Sequence, residues 1–126
     1  MSLPDTSPPR SVLLVDDDDD VAHVLSRALE RRGYEVHRAR TGSEALASLS
    51  SLPRVDAALV DLVLPGAGGL EVVRGIRRVF PGCRIVAMTG LDDPLMQRAF
   101  LEAGADVFLG KPVELVHLFE ALDPRH

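Results

Sequence analysis

The sequence predicts one α/β domain, a parallel sheet with helices on both faces. Three observations carry this. From Ser11 onward, five short apolar runs alternate with five amphipathic stretches. The first run, Val12-Leu13-Leu14-Val15, is continuous, as in a strand buried on both faces. Polar or charged residues follow four of the five runs directly, where an open α/β sheet places its functional crevice. At 126 residues and 46% hydrophobic content, the chain suits a single core.

The elements follow in order. Residues 1–10 (MSLPDTSPPR) hold three prolines and no hydrophobic period, and read as a disordered leader, partly artificial in look, to a domain spanning 11–123. After the first strand, Val21, Val24, Leu25, Ala28 and Leu29 recur at helical spacing until Gly33 stops the helix. Tyr34 to Arg38 alternates, as a more exposed strand does. Thr41-Gly42-Ser43-Glu44 is a capping box opening a helix through Ala45, Leu46 and Leu49. Ala57 to Val60 is the third strand and ends at Asp61. Leu70 to Val79 is a helix with Val72, Val73 and Ile76 inward, and Arg84 to Met88 the fourth strand. Asp93-Pro94 places a cap before a proline at the first helical position, and Gly104 follows that helix. Val107-Phe108-Leu109 is the fifth strand, and Leu115, Val116, Leu118, Phe119 and Leu122 mark the last helix.

Composition narrows the function. A net charge of −5 argues against direct nucleic-acid binding, which needs a basic face. No apolar run approaches a membrane span and no signal peptide is visible, so the expected location is the cytoplasm. Cys83 is the one cysteine, which excludes an internal disulfide, and it reads as a small apolar residue near a strand start. His23, His37, His117 and His126 have no zinc-pair spacing. The basic residues comprise thirteen arginines and one lysine, Lys111, as if an ammonium were required there. Arg31-Arg32 and Arg77-Arg78 read as solvated helix faces.

The rim chemistry is specific. Asp16 and Asp17 follow the first strand, Asp61 the third, Thr89 the fourth and Lys111 the fifth; Ala39-Arg40 at the second offers no matching group. Carboxylates crowded together repel, and a hard dication such as Mg²⁺, which prefers oxygen ligands, removes that cost. A carboxylate can also act as the nucleophile that forms an aspartyl-phosphate. Mg²⁺, the Lys111 ammonium and the Thr89 hydroxyl could each meet one phosphoryl oxygen. Of the run Asp18 to Asp20, one residue is expected to cap the first helix, and Asp56 is expected to be structural.

The segments VLLVDDD at 12–18, LVDLVLPGAGGLEVV at 59–73, IVAMTG at 85–90 and GADVFLGKP at 104–112 together resemble the receiver domain of two-component response regulators. The resemblance implies a flavodoxin-like (βα)5 fold with strand order 2-1-3-4-5. It implies that Asp61, followed by Pro65 and Gly69, is the phosphoacceptor. Asp16 and Asp17 would bind Mg²⁺ together with Asp61 and the backbone carbonyl of Val63. Thr89 and Phe108 would be the switch residues and Lys111 the phosphate-pairing lysine, joined to Pro112 by a cis bond. Implied partners are a histidine kinase or phosphotransfer protein, and a second copy through the face of helix four, strand five and helix five, which includes Met96, Phe100 and Phe119, the sequence not fixing which of them are exposed. The chain would catalyse only its own phosphorylation and dephosphorylation.

The sequence departs from the family where Gly90 replaces the more usual alanine, and in the glycine-rich linker Gly66-Ala67-Gly68-Gly69, which suggests a mobile loop without phosphate. Val63 and Leu91, both apolar, occupy the positions bordering the family's site, where they would hinder the attacking water and lengthen the phosphorylated state. Two other classes compete. Asp16-Asp17-Asp18 contains the D-x-D spacing of haloacid-dehalogenase phosphatases, but no cap domain or later acidic motif accompanies it. A phosphorylation-independent interaction module with this fold would usually lack one of the rim residues.

Overall fold

A computed structural model describes residues 10–64, 68–90 and 93–123. The elements are β1 (Ser11–Val15), α1 (Asp19–Arg31), β2 (Glu35–Ala39), α2 (Gly42–Ser48), β3 (Ala57–Asp61), α3 (Gly69–Val79), β4 (Arg84–Thr89), α4 (Pro94–Ala103), β5 (Val107–Gly110) and α5 (Leu115–Leu122). The five strands are parallel in the order β2-β1-β3-β4-β5, as the resemblance implies.

Alternation along each central strand divides the core in two. Leu13, Val15, Ala58, Val60, Ile85 and Ala87 face Ala45 and Leu49 around α2, Val72, Val73 and Ile76 of α3, and Phe100 of α4. Val12, Leu14, Leu59, Val86 and Met88 face Ala22, Leu25 and Leu29 of α1 and Leu118, Ala121 and Leu122 of α5. Fully burying each such leucine or isoleucine is worth about 1.5–3 kcal/mol, so slipping a strand by one residue would invert both layers at prohibitive cost. The strand order reverses between β1 and β3, so the crevice opens beyond the carboxyl ends of those two strands.

Local signals set the helix starts. Asp18 accepts from the amides of Asp20 and Val21 at 3.0 and 3.1 Å and caps α1. Asp93 caps α4 ahead of Pro94, and Gly104 ends it at φ +124°, a conformation costly for any residue with a Cβ.

Four readings are corrected. The Thr41 hydroxyl accepts from the Glu44 amide at 3.0 Å, but the Glu44 carboxylate returns to the Arg40 amide rather than to that of Thr41. Arg10 is no part of a detached leader, because its carbonyl accepts from the Glu35 amide at 2.8 Å; residues 1–9 lie outside the described residues. Arg77 is not a solvated face residue. Its guanidinium donates to the carbonyls of Gly104, Pro81 and Cys83 and to the Asp106 carboxylate, tying α3 to the turn before β4 and the turn between α4 and β5. Phe100 is buried and cannot serve a docking face, whereas Leu95 is 78% exposed. No helix among the described residues is long and apolar enough to cross a membrane.

Candidate functional site

The sheet register brings the rim residues to one level. Val15 pairs with Val60, Asp61 with Met88, and Thr89 with Gly110, so the residues that follow emerge side by side. Asp16 is fully buried, Asp61 and Thr89 are nearly so, and Asp17 is exposed. Carboxylate oxygens of Asp16, Asp17 and Asp61 lie within 4.8 Å of one another.

Lys111 reaches this cluster from β5. Its Nζ lies 2.6 Å from Asp61 Oδ2 and 3.2 Å from Asp16 Oδ2. Its amide donates to the Thr89 carbonyl at 2.8 Å, and the bond to Pro112 is cis. Burial alone would lower the lysine's pKa, but the hydrogen bond and charge of Asp61, with Asp16 behind it, outweigh burial and raise it. Three carboxylates and one ammonium leave the cluster two negative charges in excess.

Every polar atom of Asp16 is held. Its amide donates to the Ala39 carbonyl, Oδ1 accepts from the Asp18 amide, Oδ2 from Lys111, and its carbonyl from Arg38 Nη2 at 2.9 Å and Nε at 3.3 Å. Asp61 Oδ1 accepts from the Val63 amide at 3.0 Å, a bond between residues two apart that holds the acidic side chain against its own backbone. Asp17 has no carboxylate hydrogen bond of this kind among the described residues, and its oxygens are open to a ligand.

The end of β2 adds ion pairs beside the site, while Ala39-Arg40 places no group in the carboxylate cluster. Arg38 Nη1 binds Asp19 Oδ1 at 2.7 Å and Arg40 Nη2 binds the same oxygen at 3.0 Å. Their guanidiniums, Arg38 foremost, hold the Asp19 carboxyl below the usual carboxylate range. The alternating pattern of β2 marks Arg38 as partly covered, but nothing in it names a carbonyl 22 residues away as its partner.

Thr89, Gly90, Gln97, Phe108 and Lys111 border a cleft of about 310 Å³ beside the cluster. Phe108 is half-buried and meets Phe100 edge-on, with ring centroids 6.5 Å apart. A groove of about 580 Å³ lies on the other side, between Val21, Val24 and Leu25 of α1 and Pro112-Val113. Val63 is 64% exposed. Pro65, Gly66, Ala67 and Leu91 lie outside the described residues. Asp18 caps α1 and does not join the carboxylate cluster, so the D-x-D pair of the phosphatase reading is not assembled. Asp56 is structural, as expected: it accepts from the Ser11 amide and pairs with Arg54. Burial pushes the Cys83 thiol up to about 12, which disfavours the thiolate. Phe119 is half-buried beneath the Arg32 guanidinium, 4.0 Å from the ring centroid.

Comparison with known proteins places the chain in a family and a fold. Residues 12–123 match the response regulator receiver domain family. The chain is 40% identical over 110 residues to the response regulator MprA of Mycolicibacterium vanbaalenii, covering 87% of this chain and 47% of that protein. It is 41% identical over 105 residues to a cyclic di-GMP phosphodiesterase of Thermotoga maritima, covering 83% of this chain and 28% of that one. A response regulator receiver domain protein from Methanospirillum hungatei superposes with a TM-score of 0.87 at 32% identity, covering 93% of each chain. A Burkholderia pseudomallei response regulator, solved with a phosphorylated aspartic acid, calcium ion and citrate, gives 0.84 at 32% identity, over 90% of this chain and 66% of that one. The chain belongs to the receiver domain family of two-component response regulators. It spans less than half the length of the first two relatives named, whose further activities are their own.

Proposed function

We propose that this receiver domain is a Mg²⁺-dependent phosphorylation switch with Asp61 as its acceptor. The observation that carries the reading is the Lys111 ammonium bridging the buried Asp61 and Asp16 carboxylates, with Asp17 open beside them. The donor set is all hard oxygen and carries excess negative charge, which fits Mg²⁺. Asp16, Asp17, Asp61 and the Val63 carbonyl would hold the ion, which supplies charge neutralisation to the phosphoryl oxygens.

In transfer, an Asp61 carboxylate oxygen attacks the phosphorus of a phosphohistidine on a histidine kinase or phosphotransfer protein. The new O–P bond forms as the P–N bond breaks, and the imidazole leaves. Lys111 moves its pairing from the carboxylate to a phosphoryl oxygen, and the Thr89 hydroxyl bonds another. Phe108, against Phe100, then shifts with the Thr89 end of β4, and the α4–β5–α5 face changes its affinity for partners, a second copy included. Leu95, Leu101, Leu115 and Val116 are exposed apolar residues on those helices. The apolar Val63 side chain would slow the water that reverses the reaction. The domain acts in the cytoplasm as a signalling switch and not as an enzyme on other substrates.

Beryllofluoride, which mimics an aspartyl-phosphate, tests this by amide NMR. With Mg²⁺ present it is expected to shift the resonances of Asp61, Thr89, Phe108 and Lys111, and to shift none in Asp61→Asn. Unchanged spectra in the wild type would favour a phosphorylation-independent interaction module instead.

A further inference from the structure

We propose that Arg38, on the edge strand β2, is a positioning residue for the metal-binding loop: its guanidinium fork fixes the Asp16 main chain so that Asp16 and Asp17 are set before a cation arrives. The inference rests on the Mg²⁺ reading above. Two of the fork's nitrogens converge on one carbonyl, that of Asp16, at 2.9 and 3.3 Å, and the third holds Asp19 Oδ1 at 2.7 Å. These contacts flank Asp17, the one exposed carboxylate of the cluster. The Asp16 amide is tied to Ala39 next door on β2, so the peptide units on both sides of the Asp16 Cα are anchored to the same strand. A loop of consecutive aspartates would otherwise spread by self-repulsion. Arg38 spans 22 residues to prevent this and touches neither the acceptor nor the predicted ligand oxygens.

The fork matters here as much as the charge. Lysine would keep the charge but presents a single nitrogen, which cannot hold a carbonyl and a carboxylate in fixed relation. Partners that orient metal ligands from behind typically contribute ten- to a hundred-fold in metal affinity (about). Arg40 supplies the control, because it binds Asp19 but not the Asp16 carbonyl.

The test is calorimetric titration of Mg²⁺ into the unphosphorylated full chain at constant ionic strength. It would compare wild type, Arg38→Gln, Arg38→Lys and Arg40→Gln, with thermal unfolding in metal-free buffer alongside. The expected result is a loss of Mg²⁺ affinity of about ten-fold in Arg38→Gln and nearly as much in Arg38→Lys, with Arg40→Gln within about two-fold of wild type. At saturating Mg²⁺ the phosphorylation rate of Arg38→Gln recovers, because the acceptor is intact. Unchanged affinity in Arg38→Gln overturns the proposal even if that variant unfolds earlier, since Arg38 would then serve stability alone. Tighter binding also overturns it, because Arg38 would then be only a positive charge repelling the cation. A wild type that binds no Mg²⁺ removes the metal reading itself, and this proposal with it.

Discussion

Lys111 and Asp61, fifty residues apart in sequence, meet at 2.6 Å on the rim of the sheet. The contact exists because β5 and β3 both flank β4 in parallel and end at its level. This ammonium bonds two of the three carboxylates in the cluster.

Removing that ammonium should therefore cost stability, and Mg²⁺ should restore it. Lys111→Met is expected to lose about 2 kcal/mol in metal-free buffer, since two buried carboxylates lose their partner. Added Mg²⁺ should recover most of the loss. The pH dependence has a definite sign. The lysine's folded pKa lies above its ordinary 10.5, so its contribution is complete below that value and disappears as pH rises through the folded pKa. Thermal melts from pH 7 to 11 should show the wild-type advantage over Lys111→Met constant at first and shrinking only at the alkaline end.

Asp17→Asn should have the opposite effect on stability. The side chain is exposed and gives up no hydrogen bond within the cluster, while one of three mutually repelling charges disappears. Metal-free unfolding should shift upward by up to about 1 kcal/mol. The same variant should lack the stabilisation by Mg²⁺ that the account expects of wild type. A lower melting point in metal-free buffer would contradict the excess-charge account.

Gly69→Ala should damage the site from behind. A Cβ at this position would stand 3.1 Å from the carbonyls of Asp61 and Leu62 and from the Leu62 Cα, all backbone atoms. Relief requires moving the peptide that follows Asp61, at a cost of about 1–3 kcal/mol. Phosphorylation by acetyl phosphate should slow by more than the stability loss alone explains, measured well below the variant's melting temperature. Gly75→Ala is the comparison: its close contact is with the terminal methyl of Leu46, which can rotate away, so phosphorylation should be unaffected.

Arg77→Ala should destabilise by about 2–4 kcal/mol, because partly buried carbonyls of Gly104 and Cys83 and the Asp106 carboxylate all lose their donor. Arg77→Lys should rescue only a minority of this, as one ammonium cannot reach the three carbonyls the fork serves. Denaturant melts of both variants would measure the difference.

These two arginines mark where the sequence stops being informative. The elements and rim residues are legible because each rests on a local pattern: a continuous apolar run in β1, a cap before a proline at Asp93-Pro94, an aspartate closing an apolar run at Asp61. Arg38 and Arg77 act on main-chain carbonyls, which every residue possesses, so no sequence pattern names their targets. The same holds for Glu44, whose carboxylate takes the Arg40 amide when the box pattern points to that of Thr41. Phe100 shows a different limit. Its place in α4 is plain from periodicity, but whether it faces partners or core depends on how α4 leans on α3 and β5, a tertiary fact.

The central claim is that Asp61 takes a phosphoryl group with the help of Mg²⁺. Intact-protein mass after incubation with acetyl phosphate tests it most directly, with and without Mg²⁺, on wild type and Asp61→Asn. The account predicts one phosphoryl adduct that needs Mg²⁺ and is absent from Asp61→Asn. An adduct that persists in Asp61→Asn, or no adduct in a folded wild type shown to bind Mg²⁺, would contradict it.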